Sequence, residues 1–260
     1  MFDTIILLAG ENERAVLPAL LRGHNPRLSI VTPQSKAALA GLAPATLARA
    51  RLLGFLTPVV VPPAVLAALG YGAYNVHPGP PQYPGWLPSH FAVYDRATVF
   101  GATAHAMAAE VDAGPIVGLE LFDVPPGASV TEIDALAYTR CARLIWRLAP
   151  ALARDPAPLP ELPVAWSGRR STRAMVRAAC DIPADIDQDE LERRIAGFGA
   201  GYFGVAPTVT LHGHKFRYEP PARAATATLD AASPSCVPET ASDGQVVPRA
   251  RLKTRRRPAA

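Results

Sequence analysis

Cysteine is scarce in this chain, and its scarcity excludes two classes of cross-linked fold. Only three cysteines occur among 260 residues, and Cys141, Cys180 and Cys236 are too scattered to form a disulfide framework or a zinc-binding motif. Nearly half of the residues are apolar, which is ample for a buried core without such cross-links. We therefore expect a folded body in a reducing compartment, and we predict a cytoplasmic location.

Long apolar runs and targeting signals are also missing. No stretch approaches the ~20 apolar residues that a membrane-spanning helix needs. Near the amino terminus, Asp3 occupies the region where a secretory signal carries basic residues, and the run from Ile5 to Ala9 is too short for the apolar core of such a signal. The sequence thus predicts neither a secretory signal nor a membrane association.

Positive charge is concentrated at one end of the chain. The net charge is +4, yet six basic residues and no acidic ones lie between positions 249 and 257. Without them the chain would be slightly acidic, which does not suit a surface that neutralises nucleic-acid phosphates. We expect no specific nucleic-acid partner. The basic stretch is interpreted as a solvated run, with weak attraction to nucleic acid or membrane surfaces as the alternative.

Short apolar runs alternate with helical patterns at the start of the chain. The strand-like runs are 4–9, 28–31, 52–56 and 73–76, and the helical patterns between them are 13–22, 37–51 and 64–68. Proline is expected to shorten the first helix at Pro18 and to break the second at Pro44. This alternation predicts an α/β fold with a doubly wound, mostly parallel sheet.

Two more strand-like runs, 102–107 and 116–124, enclose a turn that holds Asp112 and Gly114. They predict a hairpin added to the parallel strands, so that the sheet is mixed. Ser129 and Glu132 then form a capping-box signature that opens a long amphipathic helix, and Pro150 and Pro156 are expected to mark its end.

We divide the chain into three parts. Residues 1–155 form the main domain. Residues 156–221 form a small carboxy-terminal extension, with short helices at 172–180 and 189–198 and a hairpin that turns at His212 and Gly213. Residues 222–260, rich in Ala, Pro, Ser and Thr, are predicted to be a disordered basic tail.

Asn75 and His77 end the fourth predicted strand. Because side chains alternate along a strand, the two point to the same side, at the edge where doubly wound sheets bind ligands. An amide in this place can donate a hydrogen bond to a developing oxyanion, and an imidazole can move a proton near neutral pH. A nearby carboxylate can orient the imidazole and accept a proton from an amine nucleophile. By its spacing alone, an Asn-X-His pattern is more often a strand-end polar pair that the loop backbone satisfies.

The segments around this pair resemble the folate-dependent formyltransferase family, which includes methionyl-tRNA, glycinamide ribonucleotide and amino-sugar formyltransferases. Asn75–Gly79, Gly101–His105 and Val111–Ile116 follow one another in the family's order. The resemblance covers about residues 1–153 and is most specific over 73–117. It implies a formyltransferase-type, Rossmann-like fold in which helices flank a mixed, mostly parallel sheet.

The resemblance also implies a catalytic triad of Asn75, His77 and Asp112. Asn75 would stabilise an oxyanion, His77 would act as general acid or polarise the carbonyl, and Asp112 would orient His77 and relay the amine proton. The formyl donor would be 10-formyltetrahydrofolate, and no metal is implied. Two segments would bind the donor, through Leu53, Phe55, Leu56, Thr57, Ala109, Glu110, Val111 and Gly114.

The acceptor is less defined than the donor. The family's loop after the histidine often carries an arginine where this chain has Pro84, and residues 156–221 do not fit the carboxy-terminal barrel of the tRNA enzyme. We therefore expect a small-molecule amine, such as an amino-sugar nucleotide or an amino-acid derivative, rather than methionyl-tRNA. Formylation of methionyl-tRNA, hydrolysis of the same donor and folate binding without turnover are the alternatives. The oligomeric state is not indicated.

Several residues near the motifs have more than one interpretation. His105 could be a second functional imidazole, although we favour a structural role. His90 is expected to lie at a helix start rather than to contact the acceptor, and Trp166 is expected to cap the linker. Tyr83 and Trp86 could either stack on an acceptor or pack the proline-rich loop.

Overall fold

A computed structural model of the chain describes residues 1–199 and 206–220. The tail predicted to be disordered, 222–260, lies outside the described residues. The helices, in chain order, are α1 (Glu11–His24), α2 (Lys36–Ala40), α3 (Pro44–Leu47), α4 (Pro63–Ala68), α5 (Pro88–Tyr94), α6 (Val130–Arg154), α7 (Arg173–Cys180) and α8 (Gln188–Phe198). Across the described ranges, none of these helices has the length and apolarity needed to cross a bilayer.

The main sheet has six strands in the order β2-β1-β3-β4-β5-β6. Along the chain they are β1 (Thr4–Ala9), β2 (Ser29–Val31), β3 (Ala50–Phe55), β4 (Ala73–His77), β5 (Val99–Ala106) and β6 (Ile116–Asp123). Strands β1 to β4 run parallel, whereas β5 and β6 each run antiparallel to the preceding strand. The predicted α/β architecture with a mixed, mostly parallel sheet is confirmed.

One predicted helix is wrong in its extent. The segment 37–51 forms two short helices and the start of β3, because Ser35 caps α2, Gly41 ends it, and Pro44 starts α3 at its first turn. The predicted helix includes Ala50 and Arg51, yet both residues pair with β1 in the sheet. Helix propensity is a weak preference that such tertiary pairing overrides.

Two prolines lie inside helices that the sequence predicts them to shorten or end, whereas α6 does end at Arg154, just before Pro156. Pro18 lies within α1 and Pro150 within α6. A proline in a helix interior costs roughly 3 kcal/mol. Both helices bury apolar faces in one core, which includes Leu17, Leu21 and Leu152, and this burial outweighs the local cost.

The sheet separates two apolar cores. Helices α1 and α6 cover one face, where Tyr74 and Val76 of β4 are buried. Helices α2, α3 and α4 lie on the other face, where Ala73 is buried. Since β4 alternates, Asn75 and His77 share the face of Ala73, just beyond that second core.

Arg51 is a fully buried charge that joins β3 to the end of α6. Its guanidinium donates to the carbonyl oxygens of five residues, and it lies 5.1 and 5.5 Å from the ring centroids of Phe2 and Tyr74. The acceptors are Tyr71, Ala151, Leu152, Asp155 and Ala157. Most of these carbonyls belong to the last turn of α6 or follow it, so Arg51 caps the helix that covers the first core.

The extension contains a second, smaller sheet. Its strands are β7 (Asp181–Ile182), β8 (Thr208–Leu211) and β9 (His214–Arg217), in the order β7-β8-β9. The hairpin turn at His212 and Gly213 is confirmed, while β7 was not predicted. Helix α8 packs against α5 through Phe198, whose ring lies 5.3 Å from that of Phe91. The extension therefore has a fixed place against the main domain.

Replacing Arg51 tests this cap. Arg51→Met should lower the free energy of unfolding by about 3 kcal/mol, because several buried carbonyls lose their donor. Arg49→Met is the matched control, since the Arg49 side chain is 58% exposed and pairs with Asp3 at the surface. It should cost less than about 1 kcal/mol. Urea denaturation of both variants measures the difference, and equal losses would contradict the assignment.

Candidate active site

The turn between β5 and β6 carries a carboxylate back to the end of β4. Asp112 adopts a left-handed backbone conformation (φ 49°), which Asp tolerates better than most residues. Two residues later, a Cβ on Gly114 would lie 2.0 Å from the carbonyl oxygen of Ala106, so only glycine fits the close return of the chain. The turn can thus hold Asp112 beside the polar strand end that the sequence predicted.

Asp112 is buried, with 5% of its surface exposed, and its carboxylate has three partners. Oδ2 accepts from the backbone N–H of Gly85 at 2.9 Å and lies 3.3 Å from Nδ1 of His77. Oδ1 lies 3.2 Å from Nε2 of His105. Burial acts to raise the pKa of Asp112, but the two imidazoles and the Gly85 N–H outweigh it and lower the pKa. The carboxylate is therefore ionised at neutral pH.

His77 connects this carboxylate to the proline-rich loop. Its Nε2 donates to the carbonyl oxygen of Tyr83 at 3.0 Å, and because a carbonyl only accepts, this nitrogen carries the proton. Burial lowers the pKa of His77, although Asp112 and the Tyr83 carbonyl act in the opposite direction. The ring thus lies between two acceptors, the Tyr83 carbonyl at Nε2 and the Asp112 carboxylate at Nδ1, and a second proton on the ring would go to Nδ1.

His105 belongs to the same cluster. It pairs with Asn75 in the register of β4 and β5, and its Nδ1 donates to the carbonyl oxygen of Ala106 at 2.8 Å. Its Nε2 faces both Asp112 and the amide nitrogen of Asn75, the latter at 3.3 Å. The structural role favoured for His105 from the sequence does not predict its contact with Asp112. The available signal was the alternation along β5, which sets Thr103 and His105 on one side.

Asn75 keeps hydrogen-bonding capacity for a ligand. Its Oδ1 is buried and has no partner within 1–199 and 206–220. Gly54, opposite Asn75 in the register, leaves it room, since a Cβ there would lie 2.7 Å from Oδ1 and 2.8 Å from Cε of Met107. A buried amide with an unused acceptor is the arrangement expected of a group that completes its bonds with substrate.

The predicted donor-binding residues fall into two sets. Leu53 and Phe55 are only 1% exposed and belong to the core under α1 and α6. Their side chains therefore lie on the opposite face of the sheet from Asn75 and His77. Leu56 and Thr57 are half-buried where β3 ends. On the turn before β6, Gly114 is buried, whereas three residues are exposed: Ala109, Glu110 and Val111.

The proline-rich loop is packed by its own aromatic residues. The ring of Tyr83 lies 5.9 Å from that of Phe100, and Trp86 packs into the cluster formed by α5, α7 and α8. Of the two interpretations left open for these residues, their contacts favour packing. Thr103 donates from Oγ1 to the carbonyl oxygen of Gly79 at 2.7 Å, which fixes the start of the loop against β5.

Trp166 of the extension covers the cluster of Asp112, His77 and His105. The sequence around Trp166 does not predict this position. Its Nε1 donates to the carbonyl oxygen of Gly114 at 2.8 Å. Its ring lies edge-on to His77 at 5.9 Å and to His105 at 5.1 Å between centroids. The residue expected to cap the linker therefore contacts both imidazoles.

The remaining polar candidates lie apart from the cluster. His90 is the third residue of α5, in keeping with the expected helix start, and its ring lies 6.0 Å from that of Phe198. Burial lowers its pKa to about 4. Over the part of the chain that the structure describes, no group of His, Cys, Asp or Glu side chains is arranged to hold a metal ion.

Sequence comparison links the central part of the chain to known proteins. Residues 53–140 match the family model described as Formyl transferase. A methionyl-tRNA formyltransferase from Roseobacter denitrificans (strain ATCC 33942 / OCh 114) is 28% identical over 142 residues, which are 54% of this chain. The match spans 46% of that relative, less than half of its length.

Structural comparison extends the likeness to the extension. A sugar N-formyltransferase from Shewanella sp FDAARGOS_354 aligns with a TM-score of 0.69 and 13% identity, over 85% of this chain and 97% of that one. An N-formyltransferase from Helicobacter canadensis, in complex with folinic acid and dTDP-3-aminofucose, aligns with a TM-score of 0.58 and 11% identity, over 82% and 85% of the two chains. At identities of 13% and 11%, these comparisons show a shared fold and nothing further.

The electrostatic coupling within the cluster can be tested without substrate. Asp112→Asn should lower the pKa of His77 further, because it removes the negative charge that stabilises the imidazolium. Titration of the His77 ring protons by NMR, with His77→Gln for assignment, measures the shift. Asp123→Asn, on an exposed residue at the end of β6, should leave the His77 pKa unchanged. A rise in that pKa in Asp112→Asn would contradict the pairing.

Proposed function

We propose that this chain, which belongs to a formyltransferase family, transfers a formyl group from 10-formyltetrahydrofolate to the primary amine of a small molecule. The observation that carries the proposal is the buried cluster of Asp112 with His77 and His105, beside the partly unsatisfied amide of Asn75. These groups suit attack of an amine on a carbonyl, because they can stabilise negative charge on oxygen and receive a proton from nitrogen.

The residues present fit a bound formyl-folate. The donor supplies an electrophilic formyl carbon on its N10 nitrogen. The strand end at Leu56 and Thr57 and the exposed turn at Ala109, Glu110 and Val111 would hold the pterin. Asn75 lies next to the first of these segments, since its register partner Gly54 borders Thr57. Leu53 and Phe55 would contribute from the core by fixing β3.

Asn75 would act on the formyl oxygen. Its Nδ2 now lies near Nε2 of His105, an interaction at 3.3 Å that a stronger acceptor can replace. As negative charge develops on the oxygen, a donor that is already oriented and desolvated stabilises it more than water does. The unpartnered Oδ1 would accept a hydrogen from the incoming amine.

His77 and Asp112 would manage the amine proton. Nε2 of His77 is already protonated and tied to the Tyr83 carbonyl, so a second proton goes to Nδ1. There Asp112 stabilises the imidazolium at 3.3 Å. His105, on the other carboxylate oxygen, fixes the orientation of Asp112. The general-base role of the pair depends on the neutral state of His77.

The acceptor we propose is an amino-sugar nucleotide or an amino-acid derivative. The fold likeness to sugar N-formyltransferases over most of both chains supports a small-molecule acceptor. Methionyl-tRNA is the second candidate, favoured by the sequence relative. The division at residue 155 and the cytoplasmic location stay predictions.

An assay of the purified chain with 10-formyltetrahydrofolate and a panel of amines tests the proposal. Replacement of His77 by Gln or Asp112 by Asn should reduce the rate at least about 10²-fold if the pair does acid–base work, and Asn75→Ala should have a loss of similar order. His214→Gln on exposed β9 is the control and should have no effect.

Three results would contradict the proposed transfer reaction. Formate release without any formylated amine would indicate hydrolysis. Folate binding without turnover, unaffected by these replacements, would indicate a binding protein. The absence of both turnover and folate binding would overturn the proposal.

The acid limb of the pH–rate profile should report His77. Because the pKa of His77 is lowered, the neutral form persists below pH 6.5, and kcat/KM should stay level down to that point and fall at lower pH. In Asp112→Asn the residual activity should show an acid limb displaced to lower pH. An acid limb centred above pH 6.5 in the unmodified chain would contradict the assigned base.

A further inference from the structure

A segment of the extension, residues 166–171, lies across the proline-rich loop, and we call it the strap. Ser171 donates from its backbone N–H to the Pro84 carbonyl at 2.9 Å and accepts from the Trp86 N–H at 3.1 Å. Its hydroxyl donates to the Trp86 carbonyl at 2.6 Å. Ser167 donates from its backbone N–H to the Pro81 carbonyl at 3.0 Å. Backbone pairing of this kind holds the strap in register with the loop.

The strap also reaches the turn that carries Asp112. Trp166 bonds to Gly114 at one side of the turn, and Arg170 lies 3.4 Å from the Val111 carbonyl at the other. Arg170 is also 3.7 Å from a carboxylate oxygen of Glu110. The strap therefore joins the loop and the turn, the two segments that place Tyr83, Gly85 and Asp112 around His77.

Trp166 contacts the imidazoles directly. Its large apolar ring is edge-on to both, while His77 and His105 are 5% and 2% exposed. The indole is itself only half-buried, so one side touches the histidines and the other borders solvent. An aromatic side chain in this position separates the proton-accepting groups from bulk water.

Water is the competing nucleophile in the proposed reaction. In transfer, the amine nitrogen bonds to the formyl carbon, the bond from that carbon to N10 breaks, the amine loses a proton and N10 gains one. In hydrolysis, a water oxygen takes the place of the amine and formate leaves. Because water is far more concentrated than any amine, the outcome depends on excluding it from the base.

Resting on the proposed function, we propose that Trp166 is a positioning residue that shields His77 and His105 from water and so directs the formyl group to an amine. The main domain supplies the reacting groups, and the strap supplies the cover. On this view the extension sets the choice between transfer and hydrolysis.

The experiment measures formate and formylated amine in the same reaction mixture. In Trp166→Ala the ratio of formate to formylated amine should rise at least about tenfold, because water gains access to the base. Trp166→Phe keeps an aromatic ring but loses the bond to Gly114, and should give a smaller rise. Trp146→Ala is the matched control, because Trp146 lies on α6 and is 67% exposed.

A second measurement does not depend on turnover. Labelling of His77 and His105 by diethylpyrocarbonate, located by mass spectrometry, should increase in Trp166→Ala and stay at the unmodified level in Trp146→Ala. Circular dichroism checks that each variant is folded, and Trp166→Leu replaces Trp166→Ala if the latter is not. The bulkier leucine should then show the same rise in both measurements.

The outcomes separate the two proposals. An unchanged product ratio in a folded Trp166 variant that still transfers formyl groups would overturn the shielding role alone. If the unmodified chain forms neither product, the proposed function fails. Labelling of the imidazoles then tests separately whether Trp166 shields them from solvent. Equal labelling with and without the Trp166 indole would overturn the shielding role.

Discussion

The site depends on one electrostatic constraint, which is that the buried carboxylate of Asp112 must be compensated from several directions. A single buried charge without partners is costly in an apolar interior. Here the end of β4 supplies His77, β5 supplies His105, and the proline-rich loop supplies the N–H of Gly85. The end of β4, the loop that follows it and β5 are fixed relative to one another because each provides one of these partners.

The change from parallel to antiparallel pairing explains why the cluster forms where it does. Strand β4 pairs with β3 in parallel and with β5 in antiparallel orientation, so the end of β4 faces a strand that returns past it. In this register Asn75 meets His105, and the turn after β5 brings Asp112 to the same edge. A fully parallel sheet would need a helical crossover before the next strand and could not place a turn residue so close.

Local sequence patterns predicted the elements whose periodicity and capping contacts lie within a few residues of one another. The alternation of β1 to β4 and the capping box at Ser129 could be recognised because period and cap are encoded within a few residues. The assignment of Asp112 to the site rested on the family resemblance alone. Arg51 in a buried strand, the contact of His105 with the carboxylate, and Trp166 on the imidazoles could not be predicted, because each depends on segments that meet only after folding. Local propensity carries no information about such partners.

The candidate site is built from residues on both sides of position 155. The groups that would react all precede residue 155, but the ring that covers them belongs to Trp166. Pro84, which stands where the family often has arginine, gives its carbonyl to Ser171, so the loop is built to bind the strap at that point. A fragment that ended at residue 155 would leave His77 and His105 without the indole that covers them and the loop without its backbone partner. The extension is therefore part of the candidate site in a physical sense, because its indole covers the two imidazoles.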